Sequence, residues 1–176
     1  MKYFRSLLLF LLAFTAVAGN AGDLTLFGGV QRPGKLTLRS VVDGTPIPLD
    51  PRDFGTFGIR ISQGRVIGSE HTLAYSPNFI SSENSAVIYN SNLLVQAPLP
   101  GVRPYATVGL GTVWIGGDEF EVITGGKFAV NYGGGLKIKL AGPVGAQFDA
   151  RGYRLLSVQD ESLNVLEVSA GLVFTF

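Results

Sequence analysis

Six ionisable residues stand in stretches that otherwise avoid charge: Arg60, Glu70, Lys137, Asp149, Arg151 and Glu167. Each shares a period-two phase with small or polar neighbours, as Arg60 does with Gly58 and Ser62. Charges held inside a protein are costly unless paired. The chemistry these six predict is therefore mutual neutralisation, an ion-paired plug in a protein interior. In a hairpin centred on Arg65, Arg60 and Glu70 fall opposite one another. In a hairpin centred on Gly142, Lys137 falls diagonal to Asp149.

Other chemistry has weaker support. His71 is the single histidine, with Ser69 and Ser76 close in sequence. Nucleophilic catalysis needs His, Ser and an acid to converge in space, whereas alternation puts Glu70 and His71 on opposite faces. No catalytic residue is expected, and the chain is not read as an enzyme. The chain has no cysteine, so thiolate ligands and disulfides are excluded. Asp118, Glu119 and Glu121 read as a solvated loop, and no metal site follows. Gly133 to Gly135 and Gly116 with Gly117 lack the strand-to-helix context of a phosphate-binding loop. No cofactor is expected.

The elements that must position the six charges are strands. At the N-terminus, Lys2 and Arg5 precede an apolar run from Leu7 to Ala18 and the small residues Gly19 and Ala21. That pattern is a secretory signal, residues 1–21, with cleavage after Ala21. Its apolar run falls short of the roughly 20 residues a transmembrane helix needs, and no long apolar run follows. Residues 22–176 then form one domain, in a chain rich in glycine (24 residues) and poor in charge (15%). Only helices and closed barrels pair all their backbone groups in lipid, and a barrel needs an apolar residue only at every second position.

Alternation is cleanest at the C-terminus, where Leu166, Val168, Ala170, Leu172, Phe174 and Phe176 oppose Glu167, Ser169, Gly171 and Thr175. Similar patterns run through Phe128 to Leu140, Val144 to Arg151, Tyr105 to Trp114 and Phe57 to Ser62. The segments 24–31, 66–75 and 86–96 bring the total to about eight strands, an antiparallel up-and-down barrel. Longer connections at 32–53, 76–85, 115–126 and 156–164 alternate with short ones at 63–65, 97–102 and 141–143. Outer-membrane barrels show this asymmetry, with short periplasmic turns and long extracellular loops. Residues 35–42 alternate too, and either prolong the first strand or start an extra hairpin.

The small and polar face suits the narrow interior of an eight-stranded barrel, which side chains just fill. A soluble barrel would instead carry Lys and Glu on its outer face. Tyr75, Tyr105, Trp114, Phe174 and Phe176 lie near strand ends, as interfacial aromatic girdles require. With near-neutral charge and no basic run, nucleic acid is not an expected partner.

On these residues the chain resembles the small outer-membrane β-barrel superfamily of OmpA-like, OmpX-like and opacity-type proteins. The stretches Arg103 to Thr112 and Asn131 to Lys137 resemble the fifth and sixth strands of opacity-type barrels. The resemblance implies a signal for the barrel-assembly machinery at Leu172, Phe174 and Phe176. It also implies residence in the bacterial outer membrane, as a monomer among lipid and lipopolysaccharide. No wall-binding domain accompanies the barrel, so tethering to peptidoglycan is not expected. The function expected is structural or surface-interacting, through loops 32–53, 76–85, 115–126 and 156–164. A narrow channel or transporter for small or hydrophobic solutes is the alternative, and a lipid A-modifying enzyme the least favoured reading.

Overall fold

The computed structural model describes residues 22–34, 36–39, 46–49, 52–79, 84–116, 125–158 and 161–176. The signal segment 1–21 and the acidic group Asp118, Glu119 and Glu121 lie outside the described residues. The described residues form ten strands: β1 (Gly22–Pro33), β2 (Leu36–Arg39), β3 (Pro46–Leu49), β4 (Phe54–Gln63), β5 (Ile67–Pro77), β6 (Ser85–Gln96), β7 (Val102–Gly116), β8 (Gly125–Ala141), β9 (Val144–Val158) and β10 (Glu161–Thr175). Eight of them close into a barrel in the order β1-β10-β9-β8-β7-β6-β5-β4, with β1 also pairing β4. Every pairing is antiparallel. At the seam, the Gly22 and Phe176 backbones exchange hydrogen bonds of 2.9 and 3.0 Å, so pairing continues to the last residue.

β2 and β3 form a separate two-stranded sheet between β1 and β4. Of the two readings of residues 35–42, the extra hairpin is the one observed. The 156–164 connection is corrected: β9 runs to Val158 and β10 begins at Glu161, with a register shift between Glu161 and Leu163. Tyr153, Leu155, Leu163 and Val165 all turn inward there and are buried. The outward face there mixes Arg154 and Asn164 with Leu156 and Leu166, so the period-two contrast is blurred although the strand continues.

Three tight connections, after β4, β6 and β8, lie at the same end as Gly22 and Phe176, and each contains a glycine at positive φ: Gly64 (102°), Gly101 (77°) and Gly142 (54°). These left-handed positions are the ones where a side chain would be strained. The short-turn end is the periplasmic end of a membrane barrel.

The two faces of the wall separate by residue type. Leu110, Phe128, Tyr132, Phe148 and Val168 point outward and are more than half exposed. Such an apolar exterior, uninterrupted by Lys and Glu, is the surface of a protein whose solvent is hydrocarbon. Gly109 and Gly111 point inward, and a Cβ there would collide with the amide oxygens of Asn92 and Asn90 on β6. Glycine on one strand thus makes room for a longer polar side chain on the next.

Leu110 lies on the outer face midway along β7. Leu110→Arg should destabilise the barrel by about 2–4 kcal/mol, the cost of a cation near the bilayer midplane. Denaturant titration of the barrel folded into lipid vesicles checks this.

Candidate functional site

The lumen is built in tiers. Nearest the periplasmic end, the Asp23 carboxylate accepts from Lys137 Nζ at 2.9 Å, from Arg103 at 3.0 Å and from Thr175 Oγ1 at 2.6 Å. Lys137 also donates to Ser62 Oγ at 2.7 Å. Asp23 and Arg103 were not among the six charges singled out from sequence. Those six balance among themselves, three against three, so nothing in them asked for a further partner. Only the inward phase that Asp23 shares with Thr25 and Phe27 could have placed it in the lumen.

The middle tier holds two guanidiniums among three carboxylates. Arg60 donates to Asp149 at 2.8 Å and to Glu167 at 2.7 Å. Arg151 donates to Glu70 at 2.6 Å and to Asp149 at 2.8 Å. These side chains are essentially inaccessible to solvent. Neutral groups complete the coordination: Gln31 and Tyr153 donate to Glu167 at 2.6 and 3.2 Å, Asn92 donates to Glu70 at 3.2 Å, and the Tyr105 hydroxyl donates to Asp149. The guanidinium carbon of Arg60 lies 3.6 Å from the centroid of the Phe27 ring. Over both tiers Arg60, Arg103, Lys137 and Arg151 meet Asp23, Glu70, Asp149 and Glu167, four cations against four anions.

Two sequence expectations are corrected by this geometry. Arg60 does not face Glu70: the β4–β5 register sets Arg60 opposite Thr72 and Glu70 opposite Ser62. The hairpin is centred one residue later than Arg65, and Arg60 and Glu70 find their partners on β9 and β10, across the lumen. Lys137 is opposite Gln147, with Asp149 two residues further along β9, but its ion-pair partner is Asp23. Tyr105 is not a girdle residue. It is 7% exposed and points into the lumen, because its phase is that of Thr107 rather than of Ala106 and Val108. Tyr75, Trp114, Phe174 and Phe176 do face outward.

Towards the other end the lumen turns apolar, which a plug made of polar and charged side chains alone did not anticipate. Phe54, Phe79, Ile88, Val113, Leu155 and Val165 are buried together, and Phe54 meets Phe79 edge-on at 5.0 Å between ring centroids. Between Phe79, Ile88, Val113, Leu155 and Val165 and the polar Gln31 and Tyr153 lies a cavity of about 10 Å³, room for one water at most. Beyond this tier, Arg32 and Asp53 form an exposed ion pair at 2.6 Å, and the Arg32 hydrogen bonds hold the Asp53 carboxyl below its ordinary value.

His71 lies on the opposite face of β5 from Glu70, with its Nδ1 3.1 Å from the Tyr89 hydroxyl. Glu70 is engaged by Arg151 inside the lumen, so these two residues do not form a catalytic pair. No group of three or more His, Cys, Asp or Glu among the described residues is arranged to hold a metal.

A closed antiparallel wall, apolar outside and ion-paired inside, defines an integral membrane β-barrel. The chain belongs to the outer membrane protein beta-barrel domain family, which matches residues 6–176, and the bacterial outer membrane is its location. Among solved structures it is similar to neisserial surface protein A, with TM-score 0.67 and 10% identity over 89% of this chain and 99% of that one. It is also similar to the attachment invasion locus protein Ail of Yersinia pestis, with TM-score 0.51 and 14% identity over 88% and 99% of the two chains. A third is the outer membrane enzyme PagL, with TM-score 0.50 and 10% identity over 85% and 97%. No curated protein sequence matches the chain. At such identities the likeness is one of fold, and a fold shared with an enzyme and with surface proteins does not choose between their functions.

Residues that share a buried ion pair should be energetically coupled, typically by about 0.5–3 kcal/mol. In double-mutant cycles on the folded barrel, Glu70→Gln should couple more strongly to Arg151→Gln than to Arg60→Gln. Unfolding free energies in detergent measure both couplings.

Proposed function

We propose that the protein is a closed outer-membrane barrel whose work is done by its surface-exposed end, in a structural or surface-interaction role. The observation that carries this reading is the filled lumen. An ion-paired tier and an apolar tier of buried side chains lie in series, and the cavity between Gln31, Tyr153 and the apolar side chains holds about 10 Å³. A solute would have to displace both. The channel or transporter alternative is correspondingly disfavoured.

The wall supports the same reading. A tilted strand spans the hydrocarbon with about 9–11 residues, and β7, β8, β9 and β10 have 15, 17, 15 and 15. Their ends therefore extend past the bilayer and carry connections towards lipopolysaccharide and whatever approaches the cell. Surface ligands would meet loops 32–53, 76–85 and 115–126, and the tip of 156–164. Catalysis is not part of the proposal, and His71→Ala should leave the lipid A profile unchanged.

Export in this scheme begins with removal of residues 1–21 after Ala21, and the barrel works as a monomer without a cofactor. Leu172, Phe174 and Phe176 share the outward face of β10, where the barrel-assembly machinery would read them. Phe176→Ala should lower the amount of assembled barrel in outer membranes several-fold, seen as loss of the fast-migrating, unboiled band on SDS gels.

The function itself is tested with the lumen and the loops separately. Barrels in planar bilayers should show no unitary conductance. Replacing residues 117–124 by a two-residue Asn-Gly turn should leave the heat-shifted band intact while reducing adsorption to immobilised lipopolysaccharide. Steady conductance by the unaltered barrel would favour the channel reading, and unchanged adsorption would remove this loop from the interaction surface.

A further inference from the structure

At the periplasmic end lies a cavity of about 440 Å³ between the turn carrying Leu99 and Gly101 and the turn carrying Gly142 and Pro143. Its walls are of two kinds. Arg103, Lys137 and Lys139 bring positive charge, and Leu99, Ile138 and Val144 bring apolar surface. Lys137 belongs to the lumen-facing phase of β8, and Ile138 belongs to the lipid-facing phase. Gly145, Val173 and Thr175, of the lumen-facing phase, also line it, so the cavity is the periplasmic mouth of the lumen, bounded on one side by Ile138 and Val144 of the lipid-facing phase.

Charge there is out of balance. Asp23 answers Lys137 at 2.9 Å and Arg103 at 3.0 Å, and Lys139 has no ion pair among the described residues. Three cations around one carboxylate leave the recess positive beside apolar walls, where an anion is attracted more strongly than in open water. Lys137 is buried and committed to Asp23 and Ser62, while Arg103 is only partly buried and Lys139 is exposed. Lys139 is free to turn towards a ligand, and Arg103, held by Asp23, can share its guanidinium with one from its exposed side.

We propose that this recess binds the phosphate of an anionic phospholipid from the periplasmic leaflet. Lys139 and Arg103 hold the phosphate, and the glycerol with the first methylenes lies against Leu99, Ile138 and Val144. Size favours a lipid over free phosphate, since cavities of about 300–1,000 Å³ suit organic ligands with tens of atoms. Position favours it too, because the short-turn end of the barrel stands at the level of the periplasmic headgroups. The proposal rests on the membrane orientation given by the short turns.

The test is native mass spectrometry of the detergent-folded barrel with short-chain phosphatidylglycerol, with phosphatidylcholine of the same chain length, or with inorganic phosphate. Heat-shifted gel mobility is checked on the same samples, so that failure of the barrel reading is seen separately. One phosphatidylglycerol should bind per barrel, more tightly than phosphatidylcholine, and phosphate alone should not be retained. Each basic residue at an anionic lipid contributes about five-fold in affinity. Lys139→Gln should therefore weaken binding about five-fold, and Lys139→Gln with Arg103→Gln about 25-fold. Lys127→Gln, at the other end of β8, should change nothing. Lys139 takes no part in the buried network, so the single variant decides the matter if the double one does not fold. Equal adducts on unaltered and Lys139→Gln barrels, or saturation by phosphate alone, would overturn the proposal.

Discussion

Two guanidiniums, Arg60 and Arg151, are held between three carboxylates in the middle of a lumen closed to bulk water. Unpaired, any of the five would carry a desolvation penalty of several kcal/mol. Much else follows from satisfying them together. β4, β5, β9 and β10 must stand at heights that bring Arg60, Glu70, Arg151, Asp149 and Glu167 level. Gly133 must lack a side chain, because a Cβ there would run into Arg151. Tyr105, Gln31 and Asn92 must turn inward to use the remaining lone pairs. Removing a buried pair and refilling the space with apolar groups often costs little in other proteins. The contribution here is therefore best stated as specificity: one registry of the strands pairs all the charges, and a slip of one residue would turn them into lipid.

The wall was legible in the sequence because lipid and lumen demand opposite residue types. Val168 and Leu172 against Glu167 and Ser169 leave little room for another interpretation of β10. Partners within the lumen were less legible. Arg60 meets residues 89 and 107 positions away in the chain, and such contacts come from closure of the whole barrel rather than from any one hairpin. Reasoning from a single turn pairs neighbours across adjacent strands, and a turn centred one residue away already changes the answer. The apolar tier was hidden for another reason. Where Leu155 and Leu156, or Val165 and Leu166, are apolar on both faces, alternation carries no signal about which side is which. Tyr105 shows the converse, a girdle-type residue whose phase places it inside.

The candidate site inherits this division. Its six charged residues were recognisable as a set from their phase, whereas Asp23 and Arg103 sit at strand starts where the pattern is only beginning. Functionally, a filled lumen moves attention to the two ends of the barrel. One end carries the long connections and the extended strands β7–β10; the other carries a positive recess at the mouth of the lumen. Membership of the outer-membrane barrel family fits both, since the fold is a rigid carrier for whatever its ends display.

The most direct test of the closed, ion-paired lumen is hydrogen exchange at the arginine side chains, followed by solid-state NMR with the barrel in lipid bilayers. The guanidinium protons of Arg60 and Arg151 should be strongly protected from exchange, with through-space contacts to the carboxyl carbons of Asp149, Glu167 and Glu70. Free exchange with water at either arginine, or the absence of those contacts, would contradict the account.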